Sequence, residues 1–423
     1  MGLKIHVYVI SLVLFFFDAS GAQSNTFNVR KYGARADARS DTSKALWSAW
    51  KEACAAVGSS KIMIPKGTYL LGVVDLKGPC KGAMHLEVQG TFIAPISPNA
   101  HKKASWITFA YIDRLTLSGG GTFDGRGEIA WKQNNCGQKP KCKSLPISLR
   151  FDFVTNSIVR DVTSLDSKNF HVNVMGSENV TFHHFTVIAP GHSINTDGIH
   201  IGRSKRINII DSDIITGHTT NNSINTDGIH IGRSKRINII DSDIITGDDC
   251  ISIGDGSQQI RITKVRCGQG HGISVGSLGK YEKEDPVVGV FVRNCTVYDT
   301  DNGVRIKTWP ALHGGIASDM HFEDIIMKNV SNPILIDQVY CPWNQCNPKI
   351  PSKVKINNVS FKNIQGSSTT PIAIRLNCSS IVPCEKVELA NINLKYIGAD
   401  GPIKSLCANV KPRLIGQSIP PGC

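Results

Sequence analysis

The sequence predicts an all-β fold, a parallel β-helix (solenoid) forming one elongated domain with a helix over its N-terminal end. Two observations carry this expectation. Short β-prone runs alternate apolar and polar residues and recur about every 23 to 34 residues, a repeat length of solenoids. They include Val180-Thr181-Phe182, Ile207-Asn208-Ile209, Ile260-Arg261-Ile262, Val290-Phe291-Val292, Val354-Lys355-Ile356 and Val387-Glu388-Leu389. Long amphipathic helices are nearly absent: the best candidate runs from Thr42 to Ala56 and would cap the open edge of the solenoid. A β-sandwich is the competing all-β reading, but it favours turn signals every 8–12 residues or so with no longer period.

Residues 1–22 read as a secretory signal peptide, with Lys4 ahead of an apolar run from Ile5 to Phe17 and small residues from Ala19 to Ala22. The domain is then expected to span 23–423, secreted and extracellular, with no membrane span. Six Asn-x-Ser/Thr sequons, at Asn179, Asn221, Asn294, Asn329, Asn358 and Asn377, are glycosylation candidates that fit export.

Thirteen cysteines in an exported chain argue for disulfides, and the odd number leaves at least one thiol unpaired within the chain. Cys341 with Cys346 and Cys378 with Cys384 are local pairs, and Cys407 with Cys423 would fasten the C-terminal tail. The formal charge of +13 implies a polyanionic partner. For an exported chain that points to an acidic polysaccharide such as pectate, and away from nucleic acid.

One repeat differs from loose solenoid similarity. Residues 193–217 recur unchanged as 223–247, an offset of 30 residues. Identity over 25 residues marks a recent duplication or a recording error.

Four clusters carry chemistry: Asn225-Thr226-Asp227, Asp248-Asp249, Gly270-His271-Gly272 and Arg305-Ile306-Lys307. Asp227 precedes Asp248 by 21 residues and Asp248 precedes His271 by 23, so in a β-helix they fall on three consecutive coils and form a column. Glycoside hydrolysis needs one protonated carboxyl and one ionised carboxylate. Crowded aspartates supply both, since like charges raise at least one pKa. Arg305 and Lys307 share a strand face and would hold a substrate carboxylate. Adjacent strand residues face opposite ways, so Asp248 and Asp249 enter one cleft only through a bulge or turn, which Gly247 permits. Taken singly each cluster has a plain structural reading: a solvated turn, a tight glycine turn, a charged face. Their joint occurrence at coil spacing favours a site.

These motifs, Asn225-Thr226-Asp227, Gly247-Asp248-Asp249-Cys250, Gly270-His271-Gly272 and Arg305-Ile306-Lys307, resemble in letters, order and spacing the four signature motifs of the polygalacturonases, glycoside hydrolase family 28. The resemblance covers nearly the whole chain after the signal. It implies a right-handed parallel β-helix and an inverting hydrolysis of α-1,4-galacturonosidic bonds in polygalacturonate (pectin), with no metal or other cofactor, by a monomer in the plant cell wall. It implies Asp248 as general acid, Asp227 and Asp249 as activators of water, and His271 as support for the acid or the sugar. It further implies uronate contacts from Arg305, Lys307, Tyr340 and Asn225, and a Cys250–Cys267 disulfide beside the site. The stretches Gly272–Tyr281 and Asn302–Trp309 look most like pollen exopolygalacturonases.

The family carries one Asn-Thr-Asp and this chain carries two, at Asp197 and Asp227. Only Asp227 keeps the 21-residue spacing to Asp248 and is expected to be the working copy. Two other readings stand beside hydrolysis: a calcium-dependent pectate lyase-like eliminating enzyme, and a catalytically impaired pectin-binding wall protein.

Overall fold

The computed structural model describes residues 25–97, 103–133, 145–218, 225–344, 346–347 and 349–423. The expected signal at 1–22 and the sequon at Asn221 lie outside them. The chain forms a right-handed parallel β-helix. One sheet takes twelve strands in chain order, from Val74–Lys77 to Lys404–Ala408, one from each coil, and the other strands pair into a second sheet that closes the remaining faces.

The alternation seen in the sequence becomes two aliphatic ladders inside the twelve-stranded sheet. Val172, Ile199, Ile229, Ile251, Ile273, Val304, Ile334 and Ile374 are successive register partners. Val174, Ile201, Ile231, Ile253, Val275, Ile306, Ile336 and Leu376 form the ladder two positions on, and all sixteen are 0% exposed. Each such side chain stabilises the fold by about 1.5–3 kcal/mol. Because side chains alternate, the residues between the ladders point outward. That outward row reads His200, His230, Ser252, Ser274 and Arg305.

The N-terminal helix, Ser43–Ala55, buries Ala45, Leu46, Ala49, Trp50 and Ala53 on one face. It packs on the first strands, Asn25–Asn28, Ser60–Ile64 and Val74–Lys77, where the solenoid would otherwise end in an open core. Cys54, in its last turn, is joined to Cys80, a pair the sequence reading did not single out. The structure also pairs Cys250 with Cys267, Cys341 with Cys346, Cys378 with Cys384 and Cys407 with Cys423. The unpaired cysteine among the described residues is Cys295, buried in the core, where desolvation pushes its thiol up to about 11. Such a thiol is inert.

The two copies of the repeat stack as consecutive coils. Ile199 pairs with Ile229, Lys205 with Lys235 and Asp213 with Asp243, so identical residues sit in register in three strands. The amide of Asn238 donates to Asn208 at 2.8 Å, and the Thr216 hydroxyl donates to Thr246 at 3.2 Å. The insertion therefore adds one coil between the N-terminal part and the coils that follow. Asn179, Asn294, Asn329 and Asn358 are exposed, each at positive φ, and Asn377 is half-buried. No helix among the described residues is long and apolar enough to cross a membrane.

Candidate active site

The site is built where bends enter the twelve-stranded sheet. The strands Ile229–Gly232, Ile251–Ile253 and Ile273–Leu278 are each preceded by one of the acidic or imidazole clusters. Main-chain bonds fix the bends to one another: Gly228 N to Asp249 O at 2.9 Å, Asp248 N to Thr226 O at 3.0 Å, His271 N to Asp248 O at 2.8 Å. His271 reaches Asp248 this closely because its neighbours are glycines. Gly270 sits at φ +63, and a Cβ there would lie 2.2 Å from the Asp248 carbonyl oxygen.

Asp248 and Asp249 both enter the site because they occupy a bend ahead of the strand rather than the strand itself. Asp248 Oδ1 lies 2.7 Å from His271 Nδ1. Asp249 turns along the outward row. Its Oδ1 accepts from Arg305 Nη2 at 2.7 Å and from the Ser274 hydroxyl at 2.7 Å, and its Oδ2 accepts from Lys307 Nζ at 2.6 Å. Asp249 is 1% exposed, Arg305 8% and Lys307 7%, so this is a buried charge cluster. Breaking such a cluster by removing one partner strands the others.

Arg305 and Lys307 were expected to grip a substrate carboxylate. Both are bonded to a carboxylate of the chain itself, that of Asp249. The reason lies in register: Arg305 pairs with Ser274 and Ser274 with Ser252, so both cations lie on the same outward face as Asp249 and reach back across the coils to it. Tyr340 covers the pair, its ring centroid 5.7 Å from the Arg305 guanidinium and 5.2 Å from Lys307 Nζ, with Trp309 edge-on at 6.0 Å. Asn225 stands at the rim, its amide donating to Asn195 Oδ1 at 3.0 Å, and Asn195 donates in turn to Asn169 at 2.9 Å. The repeat thus supplies the partner that holds Asn225.

Asp227 is placed beside Asp249. Its Oδ1 accepts from the Asp249 N–H at 3.2 Å and its Oδ2 from the Ser252 hydroxyl at 2.6 Å. Burial, followed by the charges of Asp197, Asp249 and Asp248, holds Asp227 well above the ordinary carboxylate range. Asp197, the first copy, is bonded to His200 Nε2 at 2.7 Å and accepts the Asp227 N–H at 3.1 Å. It too is raised, mainly by burial.

The raised carboxyls are therefore Asp227 and Asp197, whereas Asp248 is lowered. Burial raises Asp248, but the hydrogen bond and charge of His271, with Lys307 and Arg305, outweigh it. His271 is raised in return, first by its bond to Asp248, and its Nε2 lies 3.4 Å from Asp301. Burial, with the neighbouring charges behind it, raises Asp227 and Asp197, while the imidazole beside Asp248 keeps that carboxyl low.

The pair has a definite pH window. His271 lies above its ordinary 6.5, so its contribution to stability is full below that value and is lost as pH rises through the raised one. Asp248 lies below 3.8, so its contribution is present above that value and is lost as pH falls through the lowered one. Between these limits the pair shares one proton, and above the His271 limit it has none to donate. We expect the alkaline limb of kcat/KM on polygalacturonate to fall above pH 6.5 and to move to lower pH in His271→Asn. Profiles taken from pH 4 to 9 check this, and an unmoved limb would detach His271 from the proton donor.

Donor atoms of Asp248, Asp249 and His271 lie within 4.8 Å of one another, a spacing that could hold a cation. Both oxygens of Asp249 already hold cationic side chains. A metal there would meet Arg305 and Lys307 at the same carboxylate, so the donor set suits an ion poorly. Ser252, Ser274 and His230 were missed by the sequence reading. Each is the outward residue between two ladder positions, and alternation alone would have placed them on the face of Arg305. His230 bonds Ser252 at 2.7 Å and stacks on His200 at 4.5 Å.

A sequence profile of the Glycosyl hydrolases family 28 matches residues 54–220 and 215–418. The two segments meet where the first copy of the repeat ends. A polygalacturonase of Gossypium barbadense is 49% identical over 413 residues, covering 97% of this chain and 94% of that one. An exopolygalacturonase of Oenothera organensis is 52% identical over 384 residues, covering 90% and 98%. Among solved structures, endo-xylogalacturonan hydrolase from Aspergillus tubingensis superposes with a TM-score of 0.69 at 22% identity, covering 94% of this chain and 100% of that one. An exopolygalacturonase from Thermotoga maritima gives 0.61 at 18%, covering 88% of each. The two structures show likeness of fold.

Proposed function

The chain belongs to family 28 of the glycosyl hydrolases, and from that premise we propose that it hydrolyses α-1,4-galacturonosidic bonds of polygalacturonate, releasing galacturonic acid from chain ends. The observation that carries this is the grouping of Asp248–His271 with Asp249–Arg305–Lys307 and Asp227 on four consecutive coils. The names of the exopolygalacturonase relatives support action at chain ends. The disulfides fit an oxidising compartment, and we read the protein as a secreted monomer of the plant cell wall with pectin as its partner.

In this reading Asp248 donates a proton to the leaving oxygen while Asp227 and Asp249 hold the attacking water. Asp248 is low in the free protein. A bound polyuronate brings negative charge and covers the carboxyl, and both effects raise it toward the protonated form. Asp249 accepts three bonds, and a carboxylate offers about four lone-pair sites, so one on Oδ2 is left for water. Its clamped geometry favours holding water over swinging in to attack the sugar.

The nearest donor atoms of Asp248 and Asp249 lie within 4.8 Å of each other, whereas inverting enzymes usually hold their two carboxyl groups roughly 6.5–9.5 Å apart. The anomer formed first is therefore a sharp test. We expect the inverted anomer by proton NMR, with monomer as the product and the rate unchanged by chelator. A retained anomer would make Asp249 a nucleophile. An ultraviolet-absorbing unsaturated end would make the reaction an elimination.

A further inference from the structure

The repeat duplicates a basic bend as well as an acidic one. Strands Ile199–Gly202 and Ile229–Gly232 lead directly into Arg203-Ser204-Lys205-Arg206 and Arg233-Ser234-Lys235-Arg236. Arg203 N bonds Gly232 O at 3.1 Å and Lys205 pairs with Lys235, so the two sets lie one above the other. All six cations are exposed. Among the described residues, the acids bonded to them are Glu178, to Lys205 and Arg206, and Asp255, to Arg233. Arg236 bonds the neutral Gln259 at 3.1 Å.

Stacking like charges in neighbouring strands is destabilising. Arg203, Arg206, Arg233 and Arg236 hold φ between +50 and +57, a left-handed conformation shared by residues at many other bends of this solenoid and one that asparagine adopts readily. A polyanion laid across both sets relieves that repulsion.

We propose that these six cations form a docking surface for de-esterified polyuronate outside the catalytic grouping, enlarged by one coil through the repeat. The patch borders the far ends of the strands whose starts carry Asp197 and Asp227, so a polymer crossing the sheet from the site passes over it. A polyanion with one carboxylate on every sugar neutralises both stacked sets at once, as a short oligomer seated at Asp248 does not. The inference rests on the hydrolase reading for the identity of the polymer and on the charge pattern alone for the binding.

The test uses the full chain and the variant Arg203→Asn/Lys205→Gln/Arg206→Asn, whose asparagines suit the left-handed positions. Affinity for long polygalacturonate is measured as a function of salt, and hydrolysis of trigalacturonate is measured beside it. The expected result is polymer binding about tenfold weaker at low salt, with a shallower salt dependence, and unchanged turnover of the trimer. Unchanged polymer affinity would overturn the surface. Equally tight binding of the parent to single-stranded DNA of matched charge would overturn the assignment of its partner. If the parent leaves the trimer intact, the hydrolase reading fails while the binding arm still decides the patch.

Discussion

Asp248→Asn is expected to lower kcat on polygalacturonate by about 10²–10⁴-fold, the range over which a positioned proton donor contributes. That is roughly 3–5 kcal/mol of barrier at 1.36 kcal/mol per decade. Asparagine keeps the shape, and its carbonyl can still accept from His271 Nδ1, which stands 2.7 Å from Asp248 Oδ1. Binding should therefore survive. Removing a negative charge that faces a polyanion favours the ground-state complex further, so KM should not rise. The separation of a lost kcat from a preserved KM distinguishes a missing proton from a damaged fold. Near-normal turnover in this variant would remove Asp248 as the donor.

The fold was legible because a solenoid writes its period into the chain. The ladder from Val172 to Ile374 follows from alternation and coil spacing, and the helix at Ser43–Ala55 from its apolar face. The membership of the site was legible for the same reason, since residues one coil apart become neighbours. Its wiring was not. That Arg305 and Lys307 bond Asp249 depends on how long side chains lie across three coils, and spacing gives only the face from which they start. The lowering of Asp248 likewise follows from the orientation of one imidazole ring. Cys54–Cys80 escaped because it joins the helix to a neighbouring loop rather than closing a short local ring.

Asp227→Asn is expected to reduce kcat by about 10²-fold or more, and Asp197→Asn to change it by less than about threefold, although the two residues stand in identical sequence. Context separates them. Asp227 lies next to Asp249, whose N–H it accepts at 3.2 Å, and it receives the Ser252 hydroxyl from the coil that carries Asp248. Asp197 lies one coil further off, its carboxylate engaged by His200 at 2.7 Å and by the Asp227 N–H at 3.1 Å. Asparagine keeps the carbonyl acceptor for the Asp227 N–H and thus preserves the bend that positions the second copy. An alanine at Asp197 would not, and a loss seen only with alanine would mark Asp197 as a support for Asp227. Reducing-end assays on both asparagine variants decide the matter: a greater loss at Asp197 would place the working water one coil earlier than the geometry does.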